Sequence, residues 1–90
     1  MASLLHEYWA EEDGGMFGAV REHNDGVRLK MMLGAQLIHS FMACSWFEAE
    51  KIHYELQGFG EFIPPEGETD VVYTEDEQVE QQAYLNRRQL

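Results

Sequence analysis

Four histidines, one cysteine and a Glu-x-x-His step are the residues with most chemistry to offer. His39 and His53 stand 14 positions apart. On one continuous helix that is about 21 Å at 1.5 Å per residue, too far to share a metal within one chain. Glu50-Lys51-Ile52-His53 has the spacing used in bundle di-metal carboxylate sites. Such a site needs a second copy of the motif and two more inward glutamates. One copy occurs here, so the pair reads as an exposed i,i+3 hydrogen bond, and no metal or cofactor is expected. His39 sits in an apolar run and reads, with Gln36 and Ser40, as a small polar cluster that fixes helix register. His6 and His23, each beside a glutamate, carry no reading of their own.

Nucleophilic chemistry finds no better footing. Cys44 lies among Phe41, Ala43 and Phe47, and reads as a buried, inert thiol. No glycine pattern forms a phosphate cradle: Gly58 and Gly60 are followed by Glu61, which repels phosphate. Carboxylates are plentiful, but acid–base work needs two of them held in a cleft with separated pKa values. The expectation is therefore a protein that is not an enzyme.

These residues must be positioned by a chain of 90 residues with 17 acidic and 6 basic side chains, a formal net charge of −11. That length suits one compact domain, 1–90. A phosphate-binding domain needs clustered Lys and Arg, so direct binding of nucleic acid is excluded as an expectation. An anionic membrane repels the chain for the same reason. With 44% hydrophobic and 12% aromatic residues, whole-chain disorder is disfavoured. A single cysteine allows no intrachain disulfide, which points to a reducing interior. No basic stretch followed by an apolar run opens the sequence, so no signal peptide is read and a cytoplasmic location is expected, that of a host cell if the protein is viral. Met31 to Phe47 carries no formal charge. It is shorter than the roughly 20 apolar residues of a membrane span and is broken by Gln36, His39, Ser40 and Ser45.

The pattern reads as a mainly α, all-helical domain. Ser3 caps a helix over 4–12, and Gly14-Gly15 stops it. A short helix covers 16–23. Asp25 caps a long central helix over 27–57, where only Gly34 interrupts a run that is apolar most of the way round. Gly58 is its C′ residue. An acidic loop with brief extended segments covers 58–73 and allows at most a minor two-stranded ribbon. Thr74 and Glu77 match a capping box, acids fill the next turn and Arg87-Arg88 close the last, so 75–88 is predicted helical. A helix over 27–57 would be about 46 Å long, against a diameter of roughly 30 Å for a compact domain of this size. Either Gly34 kinks it or a second copy covers it. A homodimer is favoured, with Leu33, Leu37, Phe41, Cys44 and Phe47 as its seam.

The charge is unevenly placed. Residues 58–80 hold eight acids and no base, and residues 1–20 hold four acids and no base. Between the acids of 61–80 lie Phe62, Ile63, Val71, Val72 and Tyr73. Apolar anchors among steering carboxylates suit a surface that meets a basic protein. The expectation is a small acidic inhibitor, a nucleic-acid mimic, that docks on the basic, nucleic-acid-binding face of a partner, as viral anti-defence proteins do. Its contact residues would be Glu66, Glu68, Asp70, Glu75, Asp76, Glu77 and Glu80, then Glu11, Glu12 and Asp13, with Phe62 and Tyr73 as anchors. The alternative is an assembly subunit or assembly chaperone that works through the apolar helix, its acidity serving solubility.

Overall fold

A three-stranded antiparallel sheet organises the chain. In the computed structural model, which describes residues 1–88, the order of elements is β1 (Leu4–Glu11), β2 (Gly14–Ala19), α1 (Glu22–Met31), β3 (Gln36–Ala43), α2 (Trp46–Gln57) and α3 (Glu75–Arg87). The sheet order is β2-β1-β3. The mainly α reading is thus corrected: the protein is a small α/β domain, and the term all-helical does not apply.

The residues expected to form a helix over 4–12 form β1, and 16–23 lies mostly in β2. Leu4, His6 and Tyr8 alternate with Leu5, Glu7 and Trp9, which is the period-2 pattern of a strand with two covered faces. Two residues, Glu12 and Asp13, join β1 to β2, with Glu11 opposite Gly14. Gly15 belongs to the hairpin for a steric reason: a Cβ there would fall 2.5 Å from the Tyr8 hydroxyl oxygen.

The long helix over 27–57 does not exist. Gly34 does more than kink it. α1 ends at Met31, and the chain turns through Leu33-Gly34 and returns as β3, antiparallel to β1. The register runs Leu4 opposite Ala43 to Tyr8 opposite His39, then slips so that Trp9 faces Leu37 and Ile38 is the extra, bulged residue. A new helix then starts at Ser45, whose hydroxyl accepts the Glu48 N–H at 3.1 Å while Glu48 accepts the Cys44 N–H at 2.8 Å. Gly58 ends it in the left-handed conformation at φ 74°.

The pleat sends alternate β1 residues to opposite helices. His6 and Tyr8 face α2, where Phe17 of β2 lies parallel to His53 at 4.1 Å between centroids. Glu7 and Trp9 face α1, whose Arg28 guanidinium sits 3.8 Å over the Trp9 ring. α3 crosses the end of the sheet where β2 diverges from β1. There Gln81 replaces a missing strand: its Oε1 accepts the Leu5 N–H at 2.8 Å, and its Nε2 donates to the Leu5 and Val20 carbonyls at 3.0 and 3.1 Å. α3 begins with a complete capping box between Thr74 and Glu77. The result is a flattened body of 34 × 33 × 20 Å. No helix among the described residues is long and apolar enough to cross a membrane.

Candidate functional site

Two groups of side chains merit attention: a histidine–aromatic cluster under α2, and the acidic surface.

β3 and α2 bring together the two histidines that a continuous helix would have kept apart. His39 Nε2 and His53 Nδ1 are 3.1 Å apart, so one ring's N–H donates to the other ring's nitrogen. Tyr8 stacks against both, with centroids 5.2 Å from His39 and 4.8 Å from His53. Burial lowers the pKa of each imidazole, and for His53 the neighbouring His39 lowers it further. Burial thus favours the neutral form of both rings. Glu50 does lie one turn before His53 on α2, but His53 bonds to His39 instead of to an exposed carboxylate. Burial pushes the Glu50 carboxyl upward. Among the described residues, no three His, Cys, Asp or Glu side chains converge as a metal cage. A groove of about 800 Å³ lies between Arg21-Glu22 and the Gln81, Tyr84 and Arg87 side of α3. It gathers no nucleophile with a base.

Deeper in the same cluster, His6 is fully buried. Its Nδ1–H donates to the Leu4 carbonyl at 3.0 Å, which leaves Nε2 to accept the Tyr73 hydroxyl at 2.7 Å. A carbonyl can only accept, so the partners fix the tautomer. Burial brings His6 down to about 4 and pushes Tyr73 up to about 12.

The acidic residues divide into structural and free ones. Asp70 accepts the Phe47 N–H at 2.8 Å, so it braces the start of α2. Glu77 closes the capping box and pairs with Arg21 at 3.2 Å. Glu66, Glu68, Glu75, Asp76 and Glu80 are exposed along the loop and the solvent side of α3. Glu12 and Asp13 are exposed and Glu11 half-buried, at the hairpin on the opposite end of β1. The structure therefore does not gather the two acidic segments into one patch. It also engages both expected anchors in internal contacts, Tyr73 fully and Phe62 in part. Phe62 packs its ring on Phe47 and Tyr54, at 5.8 and 5.1 Å. Tyr73 is buried against His6. Ile63, Val71 and Val72, with Val79 on α3, are the exposed apolar side chains of that segment.

The expected seam is dispersed as well. Leu33 lies in the α1–β3 connection, Leu37 and Phe41 on β3, Cys44 before α2 and Phe47 on α2. Leu37 and Phe41 do share a strand, but the five residues form no helical stripe.

All four arginines are drawn into internal ion pairs. Arg21 meets Glu77, Arg28 meets Asp25, Arg87 meets Glu22, and Arg88 spans Glu7 and Asp25. The Arg88 fork is the tightest, with Nη2 to Glu7 Oε1 at 2.6 Å and Nε to Asp25 Oδ2 at 2.7 Å. Desolvation works against these carboxylates, but the Arg88 hydrogen bonds outweigh it and hold both below the usual carboxylate range. Tyr84 adds its hydroxyl to Asp25. Sequence reading missed this buried network, because Glu7, Asp25 and Arg88 are far apart in the chain and each looks solvated alone.

No family model matches the chain, nor does any curated protein or solved structure.

Proposed function

We propose that the chain is a small acidic binding protein, not an enzyme, that docks on a basic face of a partner protein and so excludes the nucleic acid that face would hold. Viral proteins that disarm host defences work in this way. The observation that supports it most is the internal pairing of all four arginines. It leaves the exposed Glu66, Glu68, Glu75, Asp76 and Glu80 without an arginine to neutralise them. Ile63, Val71 and Val72 stand exposed among these carboxylates. Carboxylates would steer a basic partner into contact, and apolar side chains would slow its departure. Asp70, Glu77, Phe62 and Tyr73 serve the fold in this reading and drop out of the contact set. The lone Cys44 suits a reducing, intracellular setting.

The test is competition. The protein, immobilised, is offered nucleic-acid-binding proteins at low salt, and bound material is eluted with salt and, separately, with duplex DNA. Proteins released by both, and not retained by the Glu75→Lys/Asp76→Lys/Glu80→Lys variant, support the reading. Retention that ignores salt, DNA and the triple charge reversal overturns it.

A further inference from the structure

The sheet ends on one side at β3, and that edge is open. β3 is zipped to β1 on its inner side from Gln36 to Ala43, and among the described residues the sheet order places no strand beyond it. Alternate backbone N–H and C=O groups along it therefore point outward without a ladder partner. Proteins normally blunt such an edge with charge, proline, brevity or bulges. Gln36–Ala43 contains no Lys, Arg, Asp, Glu or Pro. It is eight residues long, and the bulge at Ile38 leaves His39–Ala43 in regular register. Leu37, Ile38 and Met42 are each about half exposed, at 44, 52 and 53%.

The surface of the whole chain points the same way. Its accessible area is 6139 Å², whereas a folded monomer of this mass exposes about 5,400 Å². The excess, about 700 Å², is close to the roughly 800 Å² that each partner gives up in a standard interface.

We propose that a second copy of this chain pairs antiparallel along β3, across a two-fold axis, to make one six-stranded sheet. Charge selects this occupant. Met31 to Phe47 is uncharged, so two chains of net charge −11 meet along a strand that itself brings no carboxylate to the seam; Glu11 and Glu48 lie only at its two ends. A basic partner would find nothing there to pair with. Two-fold pairing also covers the β3 edge of both copies with one self-complementary interface. The acidic surfaces stay outside the seam, so this inference does not depend on the inhibitor reading.

Sedimentation velocity of the purified chain and of an Ile38→Lys/Met42→Lys variant tests it, with Val79→Lys on exposed α3 as the control. The wild type and the control should sediment at twice the 10.5 kDa chain mass, and the double variant at once, with its circular dichroism unchanged. A monomeric wild type overturns the proposal, as does a double variant that stays dimeric. Should the double variant unfold, amide exchange of the wild type decides. Outward-facing β3 amides should exchange faster on dilution, and rates independent of concentration overturn the pairing.

Discussion

The Tyr73 hydroxyl donates to Nε2 of His6 at 2.7 Å, tying the end of the acidic loop to the central strand. His6 has committed Nδ1–H to Leu4, so Nε2 is a buried acceptor with that one donor. Tyr73→Phe removes the donor and leaves the acceptor dry. The expected cost is about 1–3 kcal/mol, read as a lower midpoint in urea with an unchanged slope. A midpoint equal to the wild type would show that the bond carries no weight.

The same histidine makes the fold sensitive to acid. Its folded pKa, about 4, lies below its ordinary 6.5, so the unfolded chain binds the proton first. The sign is fixed by linkage: stability is full above about pH 6.5, falls as pH drops, and this contribution is spent near pH 4. His39 and His53 are shifted in the same direction and add to the slope. His6 alone contributes up to about 3 kcal/mol. Urea midpoints should therefore fall between pH 7 and pH 5, before the Glu7 and Asp25 carboxylates begin to protonate. The His6 ring signals in an NMR titration should stay put across that range. A ring titrating near 6.5 would contradict the burial on which this rests.

Arg88 fills the cavity between Glu7 and Asp25, and all three side chains are almost wholly buried. Arg88→Ala strands the Glu7 carboxylate without a cation and leaves Asp25 with Arg28 alone, at 3.4 Å. Breaking a buried pair this way costs about 3–5 kcal/mol. Arg88→Lys should recover only part of it, since an ammonium cannot fork to both partners. The deficit relative to the wild type should shrink as pH falls, because the variant's desolvated carboxylates take up protons before those that Arg88 holds down in the wild type. A deficit independent of pH would mean that lost packing, not charge, is responsible.

Part of this architecture was legible from residue types, and part was masked by them. Thr74 and Glu77 mark the start of α3 in sequence and structure alike, because a capping box is a local device. Gly58 marks the end of α2 for the same reason. The region before α2 was misread because Gln36–Ala43 is uncharged and mostly apolar, and Gly34 by itself reads as a kink as readily as a turn. A short apolar run of that kind fits helix or strand, and tertiary pairing with β1 decides. One local signal was present: Ser45-Trp46-Phe47-Glu48 has the spacing of a cap and cuts the long helix where α2 begins. In β1 the alternation was hidden by polar residues on both faces. His6 and Glu7 are buried only because Tyr73 and Arg88 arrive from more than sixty residues away. No local pattern announces such partners, and the candidate site suffers in the same way. Its exposed carboxylates could be read from charge, but which of them the fold consumes could not.

Gln81 offers the most specific check on how α3 closes the sheet. Its amide makes three bonds to backbone groups of Leu5 and Val20, two of which, the Leu5 N–H and the Val20 carbonyl, depend on it. Gln81→Leu keeps the volume and abandons the Leu5 N–H and the Val20 carbonyl, while the Leu5 carbonyl keeps the Val20 N–H; the cost is about 2–3 kcal/mol, near the upper range for unpaired buried polar atoms. Gln81→Glu is the sharper variant. Its carboxylate can still accept the Leu5 N–H, but it sets a negative oxygen against the Leu5 and Val20 carbonyls. Only the protonated acid can donate there, so folding raises the pKa of the new glutamate. A raised folded pKa contributes stability at low pH that is lost as pH rises. Measured against the wild type at each pH, Gln81→Glu should therefore be least defective near pH 4 and most defective at pH 7, opposite in slope to the histidine effect. A defect that is constant across this range would place the Gln81 side chain in solvent, and α3 would then be held to the sheet by other contacts.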